Sequence, residues 1–206
     1  MNRSSELRKA FGGIDIYLFD QVLRGRFDSV ERLLDAGCGD GRNLVYFLRS
    51  GFEVFAVDQD PAAIAAVRAL AENLAPDLPA ENFQAGRIDS LPWQVLEVDA
   101  IICSAVLHFA SDSSHFGHML EELWRVLRPG GLFFARLASV IGLEVAIDLG
   151  DDRRAVLPDG SERFLVDERL LNTWARRLEA SQLDPLKTTN VQNLRCMTTW
   201  VLQKRV

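Results

Sequence analysis

The sequence predicts an α/β fold in which a doubly wound, mostly parallel sheet lies between two layers of helices. Short apolar runs alternate with amphipathic helical patterns from about residue 30 onward, which is typical of strands connected by helices. One apolar run passes straight into a glycine-rich loop and then into a helical pattern. The 206 residues suit one α/β domain with a sizeable core.

The glycine-rich loop is the element around which the rest of the chain is organised. Arg32–Ala36 forms the first predicted strand, and Gly37, Gly39 and Gly41 follow it, spaced two residues apart. Glycines let a ligand approach bare backbone, and a helix start adds unpaired N–H groups and partial positive charge. The loop therefore suits a nucleotide-like cofactor that carries a carboxylate or a phosphate. Its G-x-G-x-G spacing, preceded by Asp35, differs from the G-x-G-x-x-G dinucleotide fingerprint.

The N-terminal residues 4–25 are predicted to form one or two helices broken at Gly12-Gly13, and Gly25 fits the stop of the second. Two interpretations remain open for this region, residues 1–29. The helices either pack on the edge of the sheet or form a cap over the cofactor. In the second case Asp15 and Tyr17 face the substrate.

The second predicted strand, 52–57, runs into Asp58. An acidic side chain at this position is a natural acceptor for two ribose hydroxyls, and Gln59 follows it. Asp60-Pro61 then provides an N-cap and a proline in the first helical position. Residues 82–85 are predicted to form a short third strand.

Residues 98–104 are predicted to form a central parallel strand, because they are apolar on both faces. Ligands of open α/β sheets bind beyond the carboxyl ends of the strands, where Ser104 and His108 are expected. His108 is the candidate general base, since histidine titrates near neutral pH. The alternative is a structural histidine beneath a loop.

The C-terminal half continues the alternation. The clearest helical pattern is 116–127, and 132–137 is the fifth predicted strand. Residues 138–166 are less regular, with a predicted hairpin of 154–157 and 163–166 that would be a flap over the site. A helix capped by Asp167 and two final strands, 183–190 and 195–203, complete the chain.

Further polar residues are candidates with open alternatives. Arg136, at the end of the fifth strand, and Arg195 could bind an anionic acceptor or form salt bridges. His115 and His118 are spaced i, i+3 near a helix start and could form a metal pair. No third ligand with motif-like spacing accompanies them, so a solvated helix face is favoured and no metal is predicted.

The composition limits the partners that we expect. A net charge of −6 is a poor match for nucleic acid, which needs a basic surface. No apolar run reaches about 18 residues, so no membrane span is predicted. The first 13 residues lack an apolar signal-peptide core. The three cysteines lie far apart, which suits a reducing, cytoplasmic location.

Three motifs resemble those of class I S-adenosylmethionine-dependent methyltransferases. Residues 35–41, DAGCGDG, are similar to the family's D/E-x-G-x-G-x-G signature. Residues 89–93, DSLPW, look like its acidic-x-x-Leu-Pro-aromatic segment, and 127–132, LRPGGL, resemble its small-molecule members of types 11 and 25. The segment 41–43, GRN, is also similar to tellurite-resistance-type methyltransferases.

This resemblance implies a Rossmann-like sheet of seven strands whose last strand is antiparallel, within one domain spanning 1–206. It implies S-adenosylmethionine as cofactor, a small-molecule acceptor, and a monomer or homodimer. Asp89 would accept from the adenine amino group. The cofactor-binding residues that the resemblance implies are Asp35, Gly37, Cys38, Gly39, Gly41, Arg42, Asn43, Asp58, Gln59, Ile88, Asp89, Ser90 and Ser104.

Two other functions compete with methyl transfer at this point. A cofactor-binding module without catalytic activity could act through a protein partner. An NAD-dependent oxidoreductase is disfavoured by the glycine spacing.

Overall fold

A computed structural model describes residues 2–94, 97–144, 147 and 149–206. Its helices are α1 (Arg3–Phe11), α2 (Ile16–Leu23), α3 (Val45–Arg49), α4 (Pro61–Leu74), α5 (Ser113–Val126) and α6 (Glu168–Arg177). Its strands are β1 (Arg32–Ala36), β2 (Glu53–Asp58), β3 (Phe83–Ala85), β4 (Val98–Ser104), β5 (Leu127–Ser139), β6 (Arg154–Val156), β7 (Glu162–Phe164), β8 (Ala180–Gln182), β9 (Lys187–Val191) and β10 (Arg195–Lys204). No helix in the described ranges is long and apolar enough to cross a membrane.

One sheet contains eight of these strands, in the order β3-β2-β1-β4-β5-β10, with β8 and β9 beyond β10. The first five are parallel to one another, and β10 is antiparallel to β5, which confirms the predicted mixed sheet. The prediction of seven strands needs a correction. Both β8 and β9 pair with β10, Gln182 with Leu202 and Lys187 with Thr199, so two short strands share the seventh position.

Successive strand residues point to opposite sides of the sheet, and both sides are covered by buried apolar residues. Leu34 and Phe133 belong to the core on one face, and Leu33 and Phe134 to the core on the other. On the first face α5 adds Phe116, which is fully buried. Burial of such a side chain stabilises the fold by about 1.5–3 kcal/mol.

The N-terminal region forms two helices that break at Gly12-Gly13, as the sequence predicts. Gly12 has φ +64°, and a Cβ there would lie 2.6 Å from Val45 Cγ2, so the turn between α1 and α2 needs glycine. The Asp15 side chain caps α2 by accepting from the Tyr17 N–H. Leu18 on α2 is buried in the core, so this helix packs on the body of the protein.

Several element boundaries differ from the prediction, two of them by several residues. Helix α3 begins only at Val45, because residues 42–44 form turns. Strand β5 begins at Leu127 rather than at residue 132, since Leu127 pairs with Val98 and a register shift lets the chain pass Pro129 within the strand.

Strands β6 and β7 form the predicted hairpin, which we call the flap. The Arg154 Nη1 of the flap donates to the Ala110 carbonyl at 3.0 Å, and the Arg163 guanidinium lies 4.9 Å from the centre of the Phe109 ring. The flap is therefore attached to the short 3-10 turn of residues 107–109 that follows β4.

Candidate functional site

The turns that follow β1 to β4 meet at one edge of the sheet. The N–H groups of Gly37 and Cys38 donate to the Val57 carbonyl at 2.8 and 3.1 Å, so the glycine loop is tied to the end of β2. The Gly86 N–H donates to the Asp58 carbonyl at 2.9 Å, which ties the end of β3 to the same place. These bonds bring polar side chains from distant parts of the sequence together.

A cavity of about 330 Å³ opens at this edge. It is lined by Gly37, Gly39, Asp58, Gln59, Gly86, Arg87, Ile88, Asp89, Ala105, Val106, Phe109, His115 and Met119. A second cavity of about 570 Å³ lies at the opposite end, where β1 and β2 begin, between Phe27, Tyr46 and Phe52. Because open α/β sheets bind ligands beyond their carboxyl ends, the first cavity is the candidate site.

Two glycines of the loop shape the cavity in different ways. Gly37 has φ +79°, and a Cβ there would lie 2.3 Å from Val106 Cγ2, so glycine is needed for the loop to pack on the turn after β4. Gly39 has φ +53°, and a Cβ there would meet nothing within 4 Å. Its bare backbone thus faces open space, which is the form of a cradle for a ligand.

Asp58 stands at the carboxyl end of β2 and lines the cavity. Its Oδ2 accepts from the Gly39 N–H at 2.9 Å, and its Oδ1 accepts from the Asp60 N–H at 3.0 Å. A carboxylate oxygen can accept a second hydrogen bond, so both oxygens keep capacity for a ligand. The two backbone bonds hold the side chain in one orientation before anything binds.

Asp35, the last acidic residue before the glycine loop, is 1% exposed and, within the described chain, lies behind the loop rather than among the residues that line the cavity. Among the described residues, neither of its carboxylate oxygens has a hydrogen-bond partner. Burial raises the pKa of Asp35 to about 7, Arg42 works against this shift and Asp58 adds to it. A buried acceptor without a partner is costly, so a cationic group of a ligand is a fitting partner.

Asp89 lies on the cavity wall in a cluster with Arg87 and His115. Both carboxylate oxygens accept from the Arg87 guanidinium, at 2.9 and 2.7 Å, and these bonds lower the pKa of Asp89. His115 Nε2 lies 3.1 Å from Asp89 Oδ2. The prediction set His115 aside as part of a solvated helix face, whereas the structure places it on the cavity wall.

The candidate acceptor residues of the N-terminal region meet Arg136. Arg136 Nη1 lies 3.1 Å from Asp15 Oδ2, and the Arg136 guanidinium lies 5.0 Å from the centre of the Tyr17 ring. Arg42 Nη2 approaches Asp15 Oδ2 at 3.8 Å and Ser104 Oγ at 3.5 Å. The structure thus gathers these five candidates beside the carboxyl ends of β4 and β5.

His108 has a different position from the one expected of a general base. It is 5% exposed, its Nδ1 accepts from the Ala138 N–H at 3.2 Å, and it is not among the described residues that line the cavity. Burial, and secondly the charge of Arg163, lower its pKa to about 4. The correction is that His108 is a buried, neutral side chain that joins the turn after β4 to β5.

The remaining candidates support the site or lie apart from it. Asn43 is buried, and its Oδ1 accepts from the Asp15 N–H at 2.9 Å. Cys38 is buried, which raises the pKa of its thiol. Ser90 is exposed and, within the described chain, lies outside the cavity lining. Arg195 is exposed and pairs with Asp159 of the flap at 3.6 Å.

Of the two histidines considered as a metal pair, His118 is exposed and His115 lies on the cavity wall. In the described ranges no three His, Cys, Asp or Glu side chains are grouped so that they could hold a metal ion.

Sequence reasoning also missed the apolar wall of the cavity. Val106, Phe109 and Met119 belong to the turn after β4 and to α5, where the sequence pattern is that of ordinary core residues.

Ala105, which also lines the cavity, has φ +65°, an uncommon conformation for a residue with a side chain. No pattern in the sequence signals it, since backbone dihedral angles at a single alanine follow from tertiary packing.

Comparison with known proteins identifies the family. A family model described as "Methyltransferase domain" matches residues 34–135. A malonyl-[acyl-carrier protein] O-methyltransferase of Pseudescherichia vulneris is 31% identical over 144 residues, which is 68% of this chain and 51% of that protein. A probable S-adenosylmethionine-dependent methyltransferase of Mycolicibacterium smegmatis is 32% identical over 101 residues, 49% of this chain and 35% of that protein.

Solved structures share the fold. The PH0226 protein of Pyrococcus horikoshii OT3 has a TM-score of 0.71 at 17% identity, with 97% of this chain and 99% of that chain covered. A 1,6-didemethyltoxoflavin-N1-methyltransferase of Burkholderia thailandensis, crystallised with S-adenosylhomocysteine, has a TM-score of 0.66 at 19% identity, with 99% and 87% covered. The chain spans only 35%, 45% and 43% of the length of three curated relatives. The matched residues begin within β1, include the glycine loop and β2 to β4, and end within β5. The chain belongs to the class I S-adenosylmethionine-dependent methyltransferase family.

Proposed function

We propose that this chain transfers a methyl group from S-adenosylmethionine to a small-molecule acceptor. One observation carries the proposal: the backbone of Gly39 and the carboxylates of Asp58 and Asp89 line one cavity at the carboxyl edge of the sheet. Relatives with the printed names malonyl-[acyl-carrier protein] O-methyltransferase and ubiquinone biosynthesis O-methyltransferase support an acceptor of this general class.

The proposed cofactor contacts follow from the geometry. Asp58, already oriented by two backbone N–H groups, accepts from the ribose hydroxyls. Ile88, Val106 and Met119 form apolar surfaces against which a flat base packs. Asp35 accepts from the ammonium group at the methionine end, because its buried carboxylate has no other partner among the described residues.

The remaining candidates of the loop act by support. Asn43 and Arg42 hold the N-terminal region against the loop, through the Asp15 N–H and the Asp15 carboxylate. Cys38 and Gly41 are the buried residues of the loop itself, and Gln59 lines the cavity next to Asp58.

We place the acceptor between α2 and the carboxyl ends of β4 and β5. Asp15, Tyr17 and Arg136 meet there, and Arg136 and Arg42 give two positive charges against one carboxylate. This excess of positive charge favours an acceptor with an anionic or strongly polar group.

Methyl transfer requires mainly that the protein holds the cofactor and the acceptor in the correct orientation. When bound, the cofactor supplies a methyl group on a positively charged sulfur, which is transferred by in-line displacement. The chain's own residues hold the two reactants in line and exclude water, which replaces a bimolecular encounter by an oriented one. No base is assigned, since His108 is buried with its Nδ1 committed to a backbone N–H.

Binding of S-adenosylmethionine, S-adenosylhomocysteine and NADH, measured by calorimetry, tests the cofactor. We expect the first two to bind and NADH not to bind. Replacement Asp58→Ala removes a charge-assisted contact worth about 1.5–3 kcal/mol, so affinity for S-adenosylhomocysteine should fall roughly 10- to 150-fold.

Asp60→Ala is the matched control, because Asp60 lies on the same turn but caps α4 through the Ala62 N–H. It should lower stability and leave affinity unchanged. Binding of NADH alone would overturn the proposal. A panel of small acceptors, with release of S-adenosylhomocysteine as the readout, then separates an enzyme from a module that only binds the cofactor.

A further inference from the structure

The contacts of both ring nitrogens of His115 indicate its tautomer. Its Nδ1 accepts from the Ser111 backbone N–H at 3.0 Å, and its Nε2 lies 3.1 Å from Asp89 Oδ2. A backbone N–H can only donate, so Nδ1 is the acceptor and a neutral ring carries its hydrogen on Nε2. Asp89 Oδ2 lies beside this nitrogen at 3.1 Å, and Arg87 Nη2 lies 3.4 Å from it.

The position of His115 is set by the start of α5. Asp112 caps this helix, and its Oδ1 accepts from the His115 backbone N–H at 2.8 Å. The side chain of His115 reaches back to the Ser111 N–H, so the residue is held at both its backbone and its ring. Such a side chain can orient a neighbour, because it has little freedom of its own.

The donors around Asp89 are unevenly divided between its two oxygens. Oδ2 accepts from Arg87 Nη2 at 2.7 Å and has His115 Nε2 at 3.1 Å, whereas Oδ1 has, among the described side chains, only Arg87 Nε at 2.9 Å. Since each carboxylate oxygen has room for about two hydrogen bonds, Oδ1 is the one that keeps free capacity. Asp89 lies on the cavity wall beside Ile88, which is apolar.

We propose that His115 is a positioning residue that occupies Asp89 Oδ2 and leaves Oδ1 to accept from the exocyclic amino group of the cofactor's adenine. This inference rests on the proposed function. His115 thereby sets the preference of the site for a purine with an amino group over one with a carbonyl oxygen at the same position. A carbonyl oxygen there would face the Asp89 carboxylate without a hydrogen between them.

Calorimetry with S-adenosylhomocysteine and S-inosylhomocysteine tests the proposal. The wild-type chain should prefer the adenine form. His115→Gln keeps a donor near the place of Nε2 and should keep the preference. His115→Asn keeps only an acceptor near the place of Nδ1, so its affinity for the adenine form should fall about 5- to 30-fold, as expected for one lost hydrogen bond. Its affinity for S-inosylhomocysteine should stay nearly unchanged, so that the preference narrows.

His118→Asn is the control, because His118 lies on the same helix three residues further and is exposed. It should alter neither affinity. Equal losses for both ligands in His115→Asn would show a merely structural role and overturn the inference, as would an unchanged preference. A wild-type chain that binds S-adenosylhomocysteine without preferring it overturns the inference alone, whereas one that binds neither ligand overturns the proposed function.

Discussion

Arg136 Nη1 and Asp15 Oδ2 lie 3.1 Å apart and join β5 to the N-cap of α2. The Asp15 side chain is 3% exposed, so this contact is shielded from solvent on the Asp15 side. We expect Asp15→Asn and Arg136→Met each to lower the free energy of unfolding by about 1.5–3 kcal/mol, because each breaks a charge-assisted hydrogen bond. The double variant should lose less than the sum, as urea unfolding in a double-mutant cycle would show.

The exposed pair of Asp20 and Arg24 on the same helix provides the control. Its atoms lie 2.8 Å apart, but its side chains are 38% and 45% exposed. Asp20→Asn and Arg24→Met should couple much more weakly, because solvent screens an exposed pair. Additive losses in the buried pair would mean that α2 is held by apolar packing alone.

A substitution at Gly39 tests whether the cofactor lies against the backbone of the glycine loop. We expect Gly39→Val to abolish binding of S-adenosylhomocysteine. A Cβ at this position meets no protein atom within 4 Å, so the valine side chain would fill the open space in which we propose that the cofactor lies. Positive φ also costs a branched residue about 1–2 kcal/mol, so a control must carry the same strain. Gly51 has φ +82° with equally open surroundings, and it lies at the opposite end of the sheet.

Gly51→Val should therefore lose a similar free energy of unfolding and retain full affinity. Calorimetric binding and thermal unfolding of the two variants make the comparison. If Gly39→Val and Gly51→Val bound S-adenosylhomocysteine with equal affinity, the cofactor would lie outside the glycine loop.

Asp35 couples stability to pH. Its pKa is about 7 in the folded chain against an ordinary value of 3.8, so the folded state binds more protons between these values. Stability is therefore lost as pH rises through this window, by up to about 4 kcal/mol. Relative to wild type, Asp35→Asn should gain in free energy of unfolding as pH rises from 5 to 8.

The same variant should bind S-adenosylhomocysteine more weakly, since an amide cannot neutralise an ammonium group. Wild-type binding near pH 7 should also release protons, which calorimetry in buffers of different ionisation enthalpy detects. Proton-neutral binding near pH 7 would contradict the assigned contact.

His108 gives a pH dependence of opposite sign. Its pKa is lowered from 6.5 to about 4, so the unfolded chain binds more protons between these values. The stability that it contributes is present above pH 6.5 and is lost as pH falls towards 4, by about 3 kcal/mol. His108→Asn keeps an acceptor for the Ala138 N–H and should show a smaller loss in urea unfolding from pH 7 to pH 4.5.

Turnover offers a second measurement at this residue. His108 is buried, and its Nδ1 accepts from the Ala138 N–H. We therefore expect the rate of methyl transfer to depend on pH in the same way in wild type and in His108→Asn, with no step near pH 6 to 7 that only the wild type shows. Such a step would restore the role of general base.

Local patterns were sufficient for most of the fold. The run Arg32–Ala36 followed by three glycines predicts β1 and its loop, and the spacing of apolar residues predicts α5, because burial on one or both faces determines these elements. The division of the last edge into β8 and β9 was not predictable, since it follows from pairing with β10 across the sheet.

The candidate site was predictable where a residue follows a strand directly, as Asp58 does. It was not predictable for His115, because its role depends on a contact with Asp89, 26 positions earlier in the chain. The buried position of His108 was not predictable for the same reason, because its hydrogen bond with the Ala138 N–H joins segments 30 residues apart.

The two outer edges of the sheet are formed by short strands. β3 and β8 each contain three residues, and β9 contains five. Long edge strands expose rows of unpaired backbone groups that recruit other chains, and short or interrupted ones prevent this. The break at residues 183–186 therefore protects the protein from edge-to-edge aggregation, and a substitution that straightened β8 and β9 into one strand would create a template for it.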